Sequence, residues 1–156
     1  FTASIINLNL LAPINLAQVA KTLMQAQAKG GSIINIASVS VIRPSPGTAA
    51  YGAAKAGMVN FSSSVAVEWA PKGRVNAVIA GLVRTEQAEL HYGDEAGIEA
   101  VGRTIPLGRM AQPQDIGDAC LFLASSLASY VSGSTVTVHG GGEAPAFLSA
   151  SNANNE

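Results

Sequence analysis

Charge is scarce in this sequence. Of 156 residues only 12% are charged, nine basic against ten acidic, and the formal net charge is −1. So balanced a chain offers no electrostatic footprint for nucleic acid or an anionic membrane surface, which leaves small-molecule chemistry as the expectation. Cysteine is scarcer still. Cys120 stands alone, which excludes a disulfide framework and a Cys-rich zinc site and points to a reducing, cytoplasmic setting. Long apolar runs are missing as well: no uninterrupted stretch reaches the roughly 18 residues of a bilayer span, so a soluble protein with no membrane partner is expected. No charged-then-apolar leader opens the chain. There is no initiator Met either; Phe1 enters directly into F-T-A-S-I-I-N-L-N-L-L-A-P-I-N-L-A-Q-V-A, without a capping sequence. The expectation is a piece of a longer chain.

What is present is apolar and periodic. An apolar share of 48% is that of a core-forming globular domain. Residues 1 to 29 carry apolar positions at helical spacing, with Pro13 expected to bend the helix and Gly30-Gly31 to end it. The period then changes. S-I-I-N-I-A at 32 to 37 is a short apolar run suited to a buried strand, with Ser38 at its carboxyl end. After a Pro- and Ser-rich loop, a second helix is expected from 49 to 70, then a strand R-V-N-A-V-I-A at 74 to 80, with Gly81 as its turn. Residues 82 to 111 read as loop and short helices, a lid over a site. A helix at 112 to 126 and a strand T-V-T-V-H at 135 to 139, ended by Gly140 to Gly142, complete the pattern. Residues 143 to 156 form a tail that ends in small, polar S-A-S-N-A-N-N-E and is expected to be partly disordered.

Helices alternating with near-continuous apolar strands specify an α/β unit in which helices cover both faces of a parallel sheet. In such sheets ligands bind beyond the carboxyl ends of the strands. Ser38, the segment from Gly81 to Thr85 and the glycines after His139 each follow a strand, so all three should face one crevice.

In Y-G-A-A-K-A-G, residues 51 to 57, a phenol and an ammonium lie four residues apart among Ala and Gly. Taken alone, each has an ordinary explanation: Lys55 as a solvated charge and Tyr51 as a core edge. The context adds weight. Ser38, Y-x-x-x-K at 51 to 55, V-N-A-V-I-A-G-L-V-R-T at 75 to 85, P-L-G-R-M-A-Q-P-Q-D-I at 106 to 116 and Y-V-S-G-S-T-V-T-V-H-G-G at 130 to 141 together resemble the carboxyl-terminal half of a short-chain dehydrogenase/reductase. The resemblance runs from about Phe1 to Gly142. It implies one domain over 1–142, the later half of a Rossmann-like, doubly wound parallel sheet of about three strands, with the amino-terminal nucleotide-binding half missing.

The resemblance also implies chemistry. Carbonyl and secondary alcohol interconvert when a hydride moves to or from NAD or NADP while a proton moves at the substrate oxygen. Tyr51 is the general acid/base. A phenol is ordinarily a weak acid, and a cation one helical turn away favours its ionised form; Lys55 supplies that cation. By resemblance Lys55 also bonds the nicotinamide ribose, Ser38 steadies the substrate oxygen, and Asn9 supports a water in the proton relay. Asn7 and Asn15 remain alternatives to Asn9, and Ser40 to Ser38. Tyr51, Lys55, Gly81, Val83 and Thr85 are the expected cofactor contacts, with Gly81 shaping the turn and Thr85 at the carboxamide position. The small residues between Tyr51 and Lys55 keep the helix surface low for a ring and a ribose.

Other residues have plainer readings: Cys120 as a helix residue without redox role, Trp69 as packing or interface, and His91 and His139 without a second ligand at useful spacing, so no metal is expected. Departures from the family pattern exist. Ala80 replaces the usual Pro, His139 stands where an acidic residue is common, and no glycine-rich strand-to-helix turn holds a pyrophosphate. The chain alone is therefore expected to be inactive, with strand 32–37 left as an exposed edge. The alternative is a non-catalytic fragment serving as an interaction or oligomerisation module. A homodimer or homotetramer and a small carbonyl or alcohol substrate, a β-ketoacyl carrier-protein ester or a secondary alcohol, follow by resemblance; the four-residue Tyr-to-Lys spacing argues against an enoyl reductase.

Overall fold

A strand that is apolar at successive rather than alternate positions has no face to give to water, so V-N-A-V-I-A must lie inside. In the computed structural model, which describes residues 1–153, it forms β2 (Gly73–Ala80), the middle of a three-stranded parallel sheet between β1 (Gly31–Ser38) and β3 (Thr135–Val138). Val75 packs with Ala17, Val65, Ala66 and Trp69 on one face, while Val78 packs with Leu123 and Ala128 on the other. Those opposite destinations follow from the two-residue period of a strand. Helices α2 (Ala12–Ala26) and α3 (Ala49–Glu68) cover the first face, and α6 (Pro113–Ala124) covers the second. Trp69 is buried edge-on against Phe61, with ring centroids 6.0 Å apart, which gives it a packing role.

One polar residue lies at the centre of this core. Asn76 is fully buried, and both ends of its amide are satisfied: Nδ2 donates to the Val131 carbonyl at 2.9 Å, and Oδ1 accepts from the Ser134 amide at 3.0 Å. The side chain thereby clamps β2 to the turn that launches β3. On the other face Asn35 of β1 donates to Ser62 Oγ of α3 at 2.9 Å, and Ser62 donates to the Met58 carbonyl at 2.8 Å.

The first 26 residues contain two features that the sequence did not reveal. The helix is continuous over Thr2–Ala26, but α1 (Thr2–Ile6) and α2 are joined by a π-helical turn at Asn7–Leu11. The expected irregularity thus centres upstream of Pro13, which sits in the first turn of α2. Proline has no N–H, so the carbonyl four residues before it, that of Asn9, loses its ordinary α-helical donor. The second feature concerns apolarity: no uninterrupted run of bilayer length exists, yet the helix that forms is long and apolar enough, by length and composition, to cross a membrane. Asn7, Asn9, Asn15 and Gln18 interrupt the apolar run, yet within the unbroken 25-residue helix an 18-residue stretch reaches a mean hydropathy of 1.3, and only 6% of that stretch is buried. Helices of soluble proteins pass the same measure, and this one packs on α3: Leu10 lies where a Cβ on Gly57 would come within 3.2 Å.

Residues 82 to 111 include α4 (Ala88–Tyr92) and α5 (Glu95–Arg103) around a small core of their own, Ala88, Ile98, Ile105 and Met110. Paired backbone bonds, Ala111 N–H to Leu82 O at 2.9 Å and Arg84 N–H to Ala111 O at 2.8 Å, tie both ends of this unit together. In the tail, Ala146–Ala150 forms a short helix, α7, and residues 154–156 lie outside the described residues. Among the described residues β1 pairs on one side only, and Ile36 on it is 41% exposed.

The α6 amino terminus gives a pH-dependent contribution. Asp115 accepts from the Gln112 amide at 2.7 Å and forms a forked pair with Arg109, at 2.7 and 3.1 Å. The Arg109 hydrogen bonds and the Gln112 amide hold its carboxyl down at about 2, from an ordinary 3.8. Its folded value lies below its unfolded one, so the stabilisation is complete above about pH 4 and is lost as pH falls through about 2. Denaturant midpoints measured from pH 5 to pH 2 should fall less steeply in Asp115→Asn than in the parent protein.

Candidate active site

The register of the sheet brings three chain segments to one place. Ser38 pairs with Ala80 and Ala80 with Val138, so all three strands end in a single row. The Gly81 amide donates to the Val138 carbonyl at 2.9 Å, carrying the row one residue further. Beyond it opens a cleft of about 280 Å³, lined in part by Val39, Gly81, Leu82, His139 and Gly142. Of the positions expected to share a crevice, Gly81, Leu82, Gly141 and Gly142 line it, whereas Ser38 and the residues from Val83 to Thr85 do not.

Ser38 ends β1 half-buried, and its Oγ accepts from the Ser40 amide at 3.3 Å. That leaves the hydroxyl hydrogen free to donate elsewhere. Ser40 Oγ is buried without a partner among the described residues, and the Ser40 carbonyl lies 3.2 Å from the position a Cβ on Gly52 would take. Gly52 thus allows the turn after β1 to rest directly on the first turns of α3, beside Tyr51. One helical turn on, Lys55 Nζ sits 5.5 Å from the centroid of the Tyr51 ring and donates to the Ile36 carbonyl at 3.0 Å. Burial pushes the Lys55 ammonium below its ordinary pKa. Asn9 is half-buried in the π turn, where its Nδ2 donates to the Ile5 carbonyl at 3.1 Å. Its neighbour Leu10 makes the contact to α3 at Gly57.

The segment after β2 is held at Val83, which bridges to Ala111, whereas Thr85 is exposed. Gly81 has no space for a side chain: a Cβ there would meet His139 Cα at 2.7 Å and Cβ at 2.8 Å. Neither Tyr51 nor Lys55 lines the 280 Å³ cleft, so the acid/base pair and the cleft are neighbours around Ser38 and Val39 rather than one cavity.

Sequence reasoning missed the charged members of the cleft wall. Arg43 follows β1 and Glu143 follows β3, and Arg43 Nε lies 2.9 Å from Glu143 Oε1. Both line the cleft, and Tyr92 is close enough to sense both charges, although burial is what chiefly raises its phenol. A hundred residues separate the ionic partners, and neither belongs to a recognisable motif; the only clue was that each stands a few residues beyond a strand end. As to a nicotinamide cofactor, the donors suit its ribose end. Lys55 has three N–H groups and spends one on Ile36, on the unpaired side of β1.

Known proteins resemble this chain in sequence and in fold. The sequence profile of a family described as enoyl-(acyl carrier protein) reductase matches residues 2–143. A 3-oxoacyl-(acyl-carrier-protein) reductase of Rickettsia felis is 39% identical over 138 residues, 88% of this chain and 56% of that protein. Among solved structures, 4-hydroxyisoleucine dehydrogenase complexed with NADH superposes with a TM-score of 0.78 at 34% identity, over 87% of this chain and 56% of the other. An Agrobacterium tumefaciens protein described as a 2-deoxy-D-gluconate 3-dehydrogenase, with bound NADP, gives 0.77 at 35% identity, over 85% and 55%. The chain spans about half the length of the curated relatives it matches.

Because the His139 backbone cannot retreat without disturbing the Gly81–Val138 bond, Gly81→Ala should cost about 1–3 kcal/mol of stability, as overpacking does. Urea unfolding of the two proteins side by side measures it, and an unchanged midpoint would show that the strand ends are looser than the contact implies.

Proposed function

This chain belongs to the short-chain dehydrogenase/reductase family of NAD- or NADP-dependent oxidoreductases, and from that premise we propose that it carries the proton-transfer half of a carbonyl–secondary alcohol interconversion. The observation that supports this most directly is the Tyr51–Lys55 pair, with its cation 5.5 Å from the phenol ring and anchored on the Ile36 carbonyl. When bound, the cofactor supplies or accepts the hydride. Tyr51 gives or takes the proton at its phenol oxygen. Lys55, held beside the ring, stabilises the negative charge that develops there as the proton leaves. Ser38, whose Oγ already accepts from Ser40, uses its free hydroxyl hydrogen to fix the substrate oxygen. Asn9 offers the carbonyl that Pro13 deprives of a helical donor as an anchor for a relay water. Lys55, with two donors left, Val83 through its backbone and Thr85 through its hydroxyl would hold the nicotinamide-ribose end, with Gly81 setting the path of that segment.

The four-residue step from Tyr51 to Lys55, together with likeness to a 3-oxoacyl reductase, favours carbonyl over enoyl chemistry. No glycine-rich strand-to-helix turn lies within these 156 residues, so we assign turnover to a protein that also supplies the pyrophosphate site. The setting we propose is the cytoplasm, and the assembly a homodimer or homotetramer. Exposed Leu8, Leu16, Val19 and Leu23 on the first helix support association, and they are also what favours the second reading, an interaction module without catalysis.

A single substitution separates the two. In the full-length protein, Tyr51→Phe should reduce turnover at least about 100-fold, the lower range for loss of a general acid/base, while cofactor affinity by fluorescence titration stays within about twofold. Full activity in the Phe variant would remove Tyr51 from the chemistry.

A further inference from the structure

The cleft beyond the strand ends is lined by two unlike kinds of group. Ile42, Leu82 and Ile105 contribute apolar surface to its lining, and Arg43 and Glu143 place a cation and an anion side by side in it. The pair is not a closed structural tie. Glu143 Oε1 lies 2.9 Å from Arg43 Nε, yet the buried Nε–H has no aligned acceptor among the described residues, so the contact is electrostatic and leaves the N–H unspent. Arg43 Nη1 donates to the Pro44 carbonyl at 3.0 Å, which fixes the guanidinium in the wall. The side chains of Arg43 and Glu143 remain 34% and 43% accessible, so both charges can be reached from the cleft.

A substrate bearing only a carboxylate would gain Arg43 and be repelled by Glu143; one bearing only an ammonium would meet the reverse. A neutral polyol would satisfy the pair but would leave the apolar surface facing hydroxyls. At about 280 Å³ the cleft is at the small end of ligand sites, which suits a free metabolite better than a carrier-bound acyl chain. We propose that this cleft selects a small aliphatic hydroxy amino acid or its oxo form, with the α-carboxylate on Arg43, the α-ammonium on Glu143 and the side chain against Ile42, Leu82 and Ile105. The inference rests on the dehydrogenase reading for its chemistry. In the oxidising direction the carbinol C–H bond breaks with its electron pair as hydride to NAD+ or NADP+, the O–H proton passes to Tyr51, and the C=O bond forms. Selection by the charge pair is a binding property and can be measured separately.

The test uses the full-length protein with four compounds: 4-hydroxynorvaline, its N-acetyl derivative, its carboxamide, and 2-pentanol, which lacks both charged groups. Binding is followed by isothermal titration in the presence of cofactor, and turnover by nicotinamide absorbance. Charge-assisted hydrogen bonds are worth about tenfold or more each, so 4-hydroxynorvaline should bind at least tenfold more tightly than either single-charge analogue. Arg43→Met should collapse its advantage over the carboxamide and Glu143→Gln its advantage over the N-acetyl compound, while Arg43→Lys retains part of the first. Binding that does not distinguish the four compounds, or advantages that persist in both variants, overturns the inference. If 2-pentanol is oxidised in a Tyr51-dependent way without any preference for the zwitterion, this inference fails and the dehydrogenase reading stands. If the zwitterion binds through both charges and nothing is oxidised, the selection stands and the dehydrogenase reading fails.

Discussion

The site depends on one constraint, the in-line parallel register of β1, β2 and β3. Because Ser38, Ala80 and Val138 end in one row, three loops that are distant in sequence open into the same space. A slip of one residue would turn every side chain of β2 to the other face, sending Val75 toward α6 and Val78 toward α3. Burial on both sides therefore enforces the register. Asn76 enforces it a second time, since its two amide bonds reach the turn before β3 only when Asn76 and that turn are level. A buried amide is costly unless both ends are paired, and here that cost becomes a penalty against every other alignment.

The helices add to this frame the groups that a sheet cannot supply. A strand end presents backbone and at most one side chain, whereas a helix lying across it can present a phenol and an ammonium one turn apart. That requires close approach, and the small residues of Y-G-A-A-K-A-G provide it: Gly52 against the turn after β1, and Gly57 against Leu10. Lys55 then spans the remaining distance to the Ile36 carbonyl, on the side of β1 that has no strand partner among the described residues. Burial disfavours its charge, and the carbonyl partly compensates by accepting one of its hydrogens. The π turn that carries Asn9 shows the same concern with backbone groups: Pro13 brings no N–H to the carbonyl four residues before it, and the register there widens so that the Ala12 N–H bonds the Asn7 carbonyl.

Much of this was legible in the sequence, for reasons that can be stated. Strand β2 is apolar at consecutive positions and β1 follows a glycine pair, so period and punctuation located both within a residue or two of Gly73–Ala80 and Gly31–Ser38. Helix α3 is bounded by a Pro/Ser loop and by Pro71, and it was found for the same reason. The short-range pair Tyr51–Lys55 was readable because helical spacing alone sets its geometry. The π turn was not, since hydrogen-bond registers differing by one residue leave no distinct apolar period. The apolarity of Thr2–Ala26 is hidden in the sequence because amide side chains interrupt every run, and only an average along a continuous helix brings it out. Arg43 and Glu143 were missed for the opposite reason to Tyr51 and Lys55: only the closure of the sheet brings them together.

That contrast bears on how such a site can change. The proton-transfer pair resides on a single helix whose geometry is local, with Ser38 one strand end away. The cleft wall, by contrast, is assembled from the segments after β1, β2 and β3, represented by Arg43, Leu82 and Glu143. Substitutions there leave the Tyr51–Lys55 geometry untouched, because no hydrogen bond among the described residues links that wall to either side chain. The unit from Leu82 to Ala111 reinforces the separation: it has its own core in Ala88, Ile98, Ile105 and Met110, and backbone bonds close both its ends. Selectivity can therefore drift at the strand-end loops while the chemistry stays where α3 holds it, which is the physical sense in which one fold serves many substrates.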